Sequence, residues 1–249
     1  MQLIPGADLI EVFSSLQGEG AMIGRRQAFL RFSGCNLSCD YCDTSFLSSP
    51  VCRIEENPGS GDFITCRNPV PLDRIMGLLE GWLSRFPGAH HSISITGGEP
   101  LLHAELLQLW LPQLRQLLPV SLETNGTLPA ALRLIVPFID YVAMDIKLPS
   151  ATGIETDWEC HDNFLRIAAQ IDCTVKLVVD DATSDDELSR AATVVNAVSP
   201  SIPVIIQPIT RHNKVAVRVP RLLAMQSLVA AIHPETIVIP QTHVFLGVM

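Results

Sequence analysis

Ser92-Ile93-Ser94-Ile95-Thr96-Gly97-Gly98-Glu99-Pro100 reads as a short β-strand that stops at a glycine pair and a proline. The segment after it, Leu101–Leu118, has helical spacing and predicts a helix kinked at Pro112. The same alternation extends in both directions. Strands are predicted at Gln27–Ser33, Val120–Glu123, Tyr141–Ile146, Thr174–Val179 and Val204–Gln207, with a seventh at Thr236–Ile239. Helices are predicted at Pro71–Phe86, Leu128–Ile135, Asp157–Gln170, Ser184–Val198 and Arg218–Ile232. Ser184, three residues before Glu187, reads as a capping box opening the fourth of these. Near-continuous apolar strands alternating with helices predict an α/β fold, a parallel sheet covered by helices. The six units fall short of an eight-fold barrel, so a partial (β/α)6 barrel is expected. The Gly-, Cys- and polar-rich residues sit just after strand ends, where barrels of this kind place their active sites.

One segment breaks the rhythm. Residues 46–70 predict a small inserted hairpin, Val51–Glu55 and Asp62–Cys66 about the turn Asn57-Pro58-Gly59-Ser60-Gly61, with no legible function. The 249 residues predict a single domain over 1–249, and a hydrophobic share of 47% against 17% charged excludes a disordered chain. No apolar run is long enough to span a membrane, and the first residues lack a cationic signal-peptide start. A formal charge of -9 argues against nucleic acid as a partner. Seven cysteines without a signal peptide predict a cytoplasmic protein whose thiols bind metal or do chemistry.

Cys35-Asn36-Leu37-Ser38-Cys39-Asp40-Tyr41-Cys42 places three thiols within eight residues of a polar loop. A structural zinc site wants four ligands, and a fourth would have to come from His90, His91 or His103. Thiolates are the natural ligands of iron–sulfur clusters, and three of them leave one iron of a cubane open to another ligand. The other four, Cys52, Cys66, Cys160 and Cys173, pair at no ligand spacing and read as isolated buried thiols rather than an auxiliary cluster. Cys52 and Cys66 could face each other across the hairpin.

Cys35, Cys39, Tyr41 and Cys42 match CxxxCxΦC, the signature of the radical S-adenosylmethionine (SAM) superfamily, and Gly97-Gly98-Glu99-Pro100 resembles its second hallmark. The resemblance implies one 4Fe–4S cluster that binds SAM at its open iron, with an external reductant such as flavodoxin or ferredoxin. Within the superfamily, Leu16-Gln17-Gly18-Glu19-Gly20, Cys42-Asp43-Thr44, Glu123-Thr124-Asn125-Gly126 and Pro240-Gln241-Thr242-His243 are similar to the 7-carboxy-7-deazaguanine synthases. These lyases convert 6-carboxy-5,6,7,8-tetrahydropterin to 7-carboxy-7-deazaguanine with loss of ammonia, in queuosine biosynthesis, and many pair as homodimers. The likeness implies that Leu16, Gln17, Gly18, Arg31, Thr96, Glu123, His243 and the Met249 carboxylate meet the pterin, while Thr44 ligates Mg²⁺. It assigns SAM to Tyr41, Asp43, Gly97, Gly98, Glu99, Asp145, Lys147 and the run Gln207, Pro208, Ile209, Thr210.

The residue chemistry agrees with those roles. Arg31 offers a planar fork for a carboxylate, Gln17 and Glu123 can read the donor–acceptor edge of a pterin, and Thr44 is a hard oxygen ligand. Glycines 97 and 98 would let the backbone approach a ligand closely, and Glu99 either faces it or orients the loop. Tyr41 either flanks the adenine or packs under the loop. Two other readings compete. Asp145-Ile146-Lys147 is similar to activating enzymes of glycyl-radical proteins, and a non-catalytic metal-binding module would need only the three thiols.

Overall fold

The computed structural model describes residues 4–40, 42 and 47–248. Its main sheet has ten strands. β1 (Leu9–Leu16) and β2 (Arg26–Phe32) form an antiparallel pair. The inserted hairpin follows as β3 (Val51–Glu55) and β4 (Phe63–Arg67). Then come β5 (Ser92–Gly97), β6 (Val120–Thr124), β7 (Tyr141–Asp145), β8 (Asp172–Val179) and β9 (Val204–Pro208). A two-residue ladder of β10 (Thr210–Arg211) with β11 (Lys214–Val215) stands apart, and β12 (Thr236–Val238) closes the main sheet. From β2 through β5, β6, β7, β8 and β9 to β12, each neighbouring pair is parallel.

The crossovers carry α1 (Leu72–Arg85), α2 (Ala104–Leu114), α3 (Pro129–Ile135), the single turn α4 (Pro149–Thr152), α5 (Trp158–Ala168), α6 (Asp185–Val198) and α7 (Val219–Ile232). The α/β partial barrel is therefore present. Helix α6 opens with the expected box, the Ser184 hydroxyl accepting from the Glu187 N–H while the Glu187 carboxylate accepts from the Ser184 N–H. Leu101–Leu118 does not form one kinked helix. A 3-10 turn over Pro100–His103, capped by the Glu99 carboxylate on the Leu101 N–H, precedes α2, which ends two residues after Pro112.

Two features depart from the expected pattern. The parallel strands are not uniformly apolar but alternate. Leu30, Ile93, Ile95, Leu122, Val142, Val175, Leu177 and Ile206 join the helices in one hydrophobic cluster. Their sequence neighbours Arg31, Thr96, Glu123, Thr174, Lys176 and Gln207 line a cavity on the opposite face. Helices thus cover only one side of the sheet, and period-two alternation follows from that. Second, the hairpin is not an appendage. Strand β3 pairs in parallel with β1, putting Arg53 beside Glu11 and continuing the sheet past β1. Its turn is organised by the buried Glu55 carboxylate, which accepts from the Gly59, Gly61 and Ser14 N–H groups.

Candidate functional site

The sheet's polar face encloses a cavity of about 910 Å³. Cys35, Cys39 and Cys42 all line it, together with Gly97, Gly98, Asp145 and Lys147. Burial raises the Cys35 and Cys39 thiol pKa values, and the neighbouring cysteines add to both shifts. Thiolates gathered in one place repel one another, and a cationic cluster would relieve that repulsion. Among the described residues no group of three His, Cys, Asp or Glu side chains is arranged for a single metal ion. The histidines considered for zinc point elsewhere: His90 to the Ser14 hydroxyl, His91 to Ser92, and His103 to the Ser33 carbonyl.

The glycine pair is explained by chain packing rather than by a ligand alone. At Gly97, whose φ is 142°, a Cβ would lie 2.2 Å from the Phe32 carbonyl oxygen. At Gly98 it would lie 2.1 Å from the Gly34 carbonyl oxygen and 2.9 Å from the Cys35 Cβ. Only glycines allow the β5 loop to sit against the start of the cysteine loop. Glu99 is placed outside the cavity, in contrast to its expected contact with SAM. It is fully buried and accepts from the Asn125 N–H at 2.7 Å, the Leu101 N–H at 3.0 Å and the Thr124 hydroxyl at 2.9 Å. Burial raises its pKa to about 7 against these hydrogen bonds. Pro208 likewise does not line the cavity; it ends β9 beside Val179.

A second group sits on the inner face of the middle strands. The Glu123 carboxylate accepts from Gln17 Nε2 at 2.7 Å, Ser94 Oγ at 2.9 Å and Thr96 Oγ1 at 3.1 Å. Gln17 Nε2 also donates to Gln27 Oε1 at 3.0 Å, and Gln27 Nε2 to Ser92 Oγ at 2.7 Å. Toward the hairpin, Arg31 Nε donates to Glu11 Oε1 at 2.9 Å, and its guanidinium lies 5.6 Å from the Phe13 ring centroid. Phe13 stacks on Phe29 at 4.9 Å, and both residues line the cavity.

On the far side an ionic chain crosses the cavity floor. Lys147 Nζ donates to Asp145 Oδ2 at 2.6 Å, Lys176 Nζ lies 3.3 Å from Asp145 Oδ1, and Lys176 pairs with Glu19. Burial alone would raise the Glu19 pKa, but the charge and hydrogen bond of Lys176 hold it down at about 2. Lys176 stays protonated: burial opposes its charge, and Asp145 and Glu19 more than restore it. Glu19 Oε1 also accepts from Gln241 Nε2 at 3.0 Å, and the Thr242 N–H donates to the Gly18 carbonyl at 2.8 Å. A Cβ on Gly18 would lie 2.3 Å from His243 Nδ1, so the C-terminal segment lies directly on the glycine of the N-terminal motif.

Leu16, Gln17, Gly18, Arg31, Thr96, Glu123 and His243 therefore share one cavity, as do Gln207, Ile209 and Thr210. Among the described residues Gln207 Oε1 and Thr210 Oγ1 are buried without a hydrogen-bond partner, at a cost of about 1–3 kcal/mol each unless a ligand satisfies them. Tyr41, Asp43, Thr44 and Met249 lie outside the described residues. Sequence reasoning did not assign Glu11, Glu19, Arg53 or Lys176, all of which line the cavity. A lysine in the interior of a strand, between Val175 and Leu177, was the available signal for the last of these.

The sequence matches the radical SAM superfamily over residues 30–179. It is 49% identical over 245 residues to a 7-carboxy-7-deazaguanine synthase of Geobacter sulfurreducens, covering 98% of each chain. A 7-carboxy-7-deazaguanine synthase of Methanothermobacter thermautotrophicus is 35% identical over 260 residues, with 97% of each chain covered. Among solved structures, QueE from Escherichia coli superposes with a TM-score of 0.58 at 18% identity, covering 96% of this chain and 95% of the other.

Proposed function

This chain belongs to the radical SAM superfamily and, within it, to the 7-carboxy-7-deazaguanine synthases, and we propose that its cavity holds 6-carboxy-5,6,7,8-tetrahydropterin between the Glu123 network and Arg31. It is an enzyme of queuosine biosynthesis that yields 7-carboxy-7-deazaguanine. The observation that carries the proposed binding mode is the row of side chains across the sheet. Arg31 is in register with Glu11 on one side and Thr96 on the other, and Thr96 donates to Glu123. With strands spaced ~4.8 Å apart, the backbones that carry Glu123 and Arg31 stand roughly 10 Å apart, on the scale of a carboxypterin.

A carboxylate offers about four lone-pair sites. Among the described residues Glu123 uses three of them, so a further site remains for an N–H of the pterin's aminopyrimidinone. Among the described residues Arg31 spends Nε alone, on Glu11, which leaves its two terminal nitrogens as a fork for the pterin carboxylate. The stacked Phe13 and Phe29 add apolar lining beside the Arg31 end of the cavity.

Cys35, Cys39 and Cys42 would hold the 4Fe–4S cluster that the family implies, and SAM would bind at the same end of the cavity. When bound, these two supply the carbon-centred radical that abstracts hydrogen from the substrate. We assign the SAM end of the cavity to Gly97, Gly98, Asp145, Lys147, Gln207, Ile209 and Thr210, supported by the unsatisfied Gln207 and Thr210 oxygens. Mg²⁺ as a further cofactor, with Thr44 as ligand, a flavodoxin- or ferredoxin-type reductant, a homodimer and a cytoplasmic setting belong to the same proposal. No helix among the described residues is long and apolar enough to cross a membrane.

The deciding experiment is anaerobic reconstitution with iron and sulfide, then incubation with SAM, reductant, Mg²⁺ and the carboxypterin. Formation of 7-carboxy-7-deazaguanine and ammonia is expected. An intact cluster that cleaves SAM without ring contraction would overturn the substrate assignment. The Asp145–Lys147 pair that suggested an activating enzyme is tied into the ionic chain with Lys176. An EPR-detected glycyl radical in a partner protein would revive that reading.

A further inference from the structure

The hairpin adds one charged side chain to the cavity, Arg53. Strand β3 pairs with β1 so that Arg53 is the register partner of Glu11, which is itself the register partner of Arg31 on β2. Three side chains therefore stand in one row: guanidinium, carboxylate, guanidinium. Glu11 bridges them, with Arg31 Nε 2.9 Å from Oε1 and Arg53 Nη1 3.3 Å from Oε2. The trio carries a net charge of +1 at the end of the cavity remote from the Glu19–Lys176–Asp145–Lys147 chain. Glu11 orients both forks without consuming them, because each arginine gives it a single N–H. The Arg53 guanidinium itself lies over the Phe63 ring on β4, its carbon 4.2 Å from the ring centroid, so the hairpin positions the group as well as carrying it.

We propose that Arg53 is a specificity residue, a second guanidinium that, with Arg31, takes the carboxylate of the substrate. The assignment rests on the carboxypterin reading of the cavity and adds to it a role for the inserted hairpin. A planar carboxylate has two oxygens and enough lone pairs to meet two forks at once. An arginine held on an aromatic ring reaches that geometry with less ordering cost than a free side chain. The pair then selects for a substrate that carries the anion, because a neutral pterin leaves the two forks unanswered.

The test uses the reconstituted holoenzyme with SAM bound, and compares 6-carboxytetrahydropterin with tetrahydropterin lacking the carboxylate. Arg53→Met keeps an unbranched apolar side chain beside Phe63 and removes the charge, whereas Arg53→Lys keeps the charge and loses the fork. Arg53→Met is expected to weaken binding of the carboxylated ligand about tenfold and raise KM similarly with kcat little changed. Binding of the ligand lacking the carboxylate should not move, and Arg53→Lys should recover part of the loss. Unchanged affinity of Arg53→Met for the carboxypterin overturns the assignment. So does an equal loss for both ligands, which would show that Arg53 only props the hairpin. A wild-type enzyme that fails to bind the carboxypterin overturns the substrate reading itself, and this assignment falls with it.

Discussion

His90 is buried against Ser14 Oγ and the face of Trp82, and His161 is buried under the Gly126 loop. Burial lowers both imidazoles from the usual 6.5 to about 4, with the charges of Arg26 and Lys147 adding to the respective shifts. An unfolded chain therefore takes up these protons before the folded one does. The stability from keeping both rings neutral is full above pH 6.5 and falls as pH drops from there toward 4. His90→Gln keeps a donor for Ser14 and should flatten that decline by up to ~1.4 kcal/mol per pH unit, measured by urea unfolding at several pH values. At Lys176 the expected effect is larger. Lys176→Met strands the buried Glu19 carboxylate and should cost ~3–5 kcal/mol, whereas Glu19→Gln with Lys176→Met should cost less than the single change. The three cysteines proposed to hold the cluster stand out in the sequence because no core is written as three thiols in eight residues with Asn, Ser, Asp and Tyr between them. Lys176 and Glu19 do not, because a charge is recognised as part of a site only when its partner, here 157 positions away, is known.

The elements meet through glycines that admit no side chain. Gly98→Ala would press a methyl group into the Gly34 carbonyl and the Cys35 Cβ, displacing the cysteine loop from the end of β5. Reconstituted Gly98→Ala should bind markedly less iron, read from its visible absorbance, and lose roughly 2 kcal/mol or more in unfolding. Gly18→Ala should act at the other rim by pushing His243 off the N-terminal motif. Faster amide exchange over residues 240–248 with unchanged exchange in β8 is the expected signature. Most of the helices and parallel strands were read from periodicity with small errors at their ends, but Leu101–Leu118 splits into a 3-10 turn and the shorter α2, and the single turn α4 was not read at all. Strand β1 was passed over because its alternation is broken by a register shift between Leu9 and Glu11, and its residues stood out as a motif first. The hairpin strands were recognised, but their attachment to β1 is a pairing between residues 42 positions apart that no local pattern announces.

For the whole molecule, the continuous sheet from β12 to β4 and one hydrophobic cluster spanning the helices support our proposal that the chain is a single domain. Calorimetry of the protein should then give one transition whose van't Hoff and measured enthalpies agree. SAM should raise its midpoint, since the Gln207 and Thr210 oxygens, unsatisfied among the described residues, would gain partners from the ligand. The barrel type was legible because alternating units leave few topologies open. The polar interior was not, because a strand covered on one face looks much like one covered on both until the helices are placed.

Along each inner strand, letters that build the chamber alternate with letters that hold the helices. Substrate preference can thus drift by single exchanges at every second position while the scaffold's own text is left intact. Deleting one residue from such a strand would instead turn both messages inside out together.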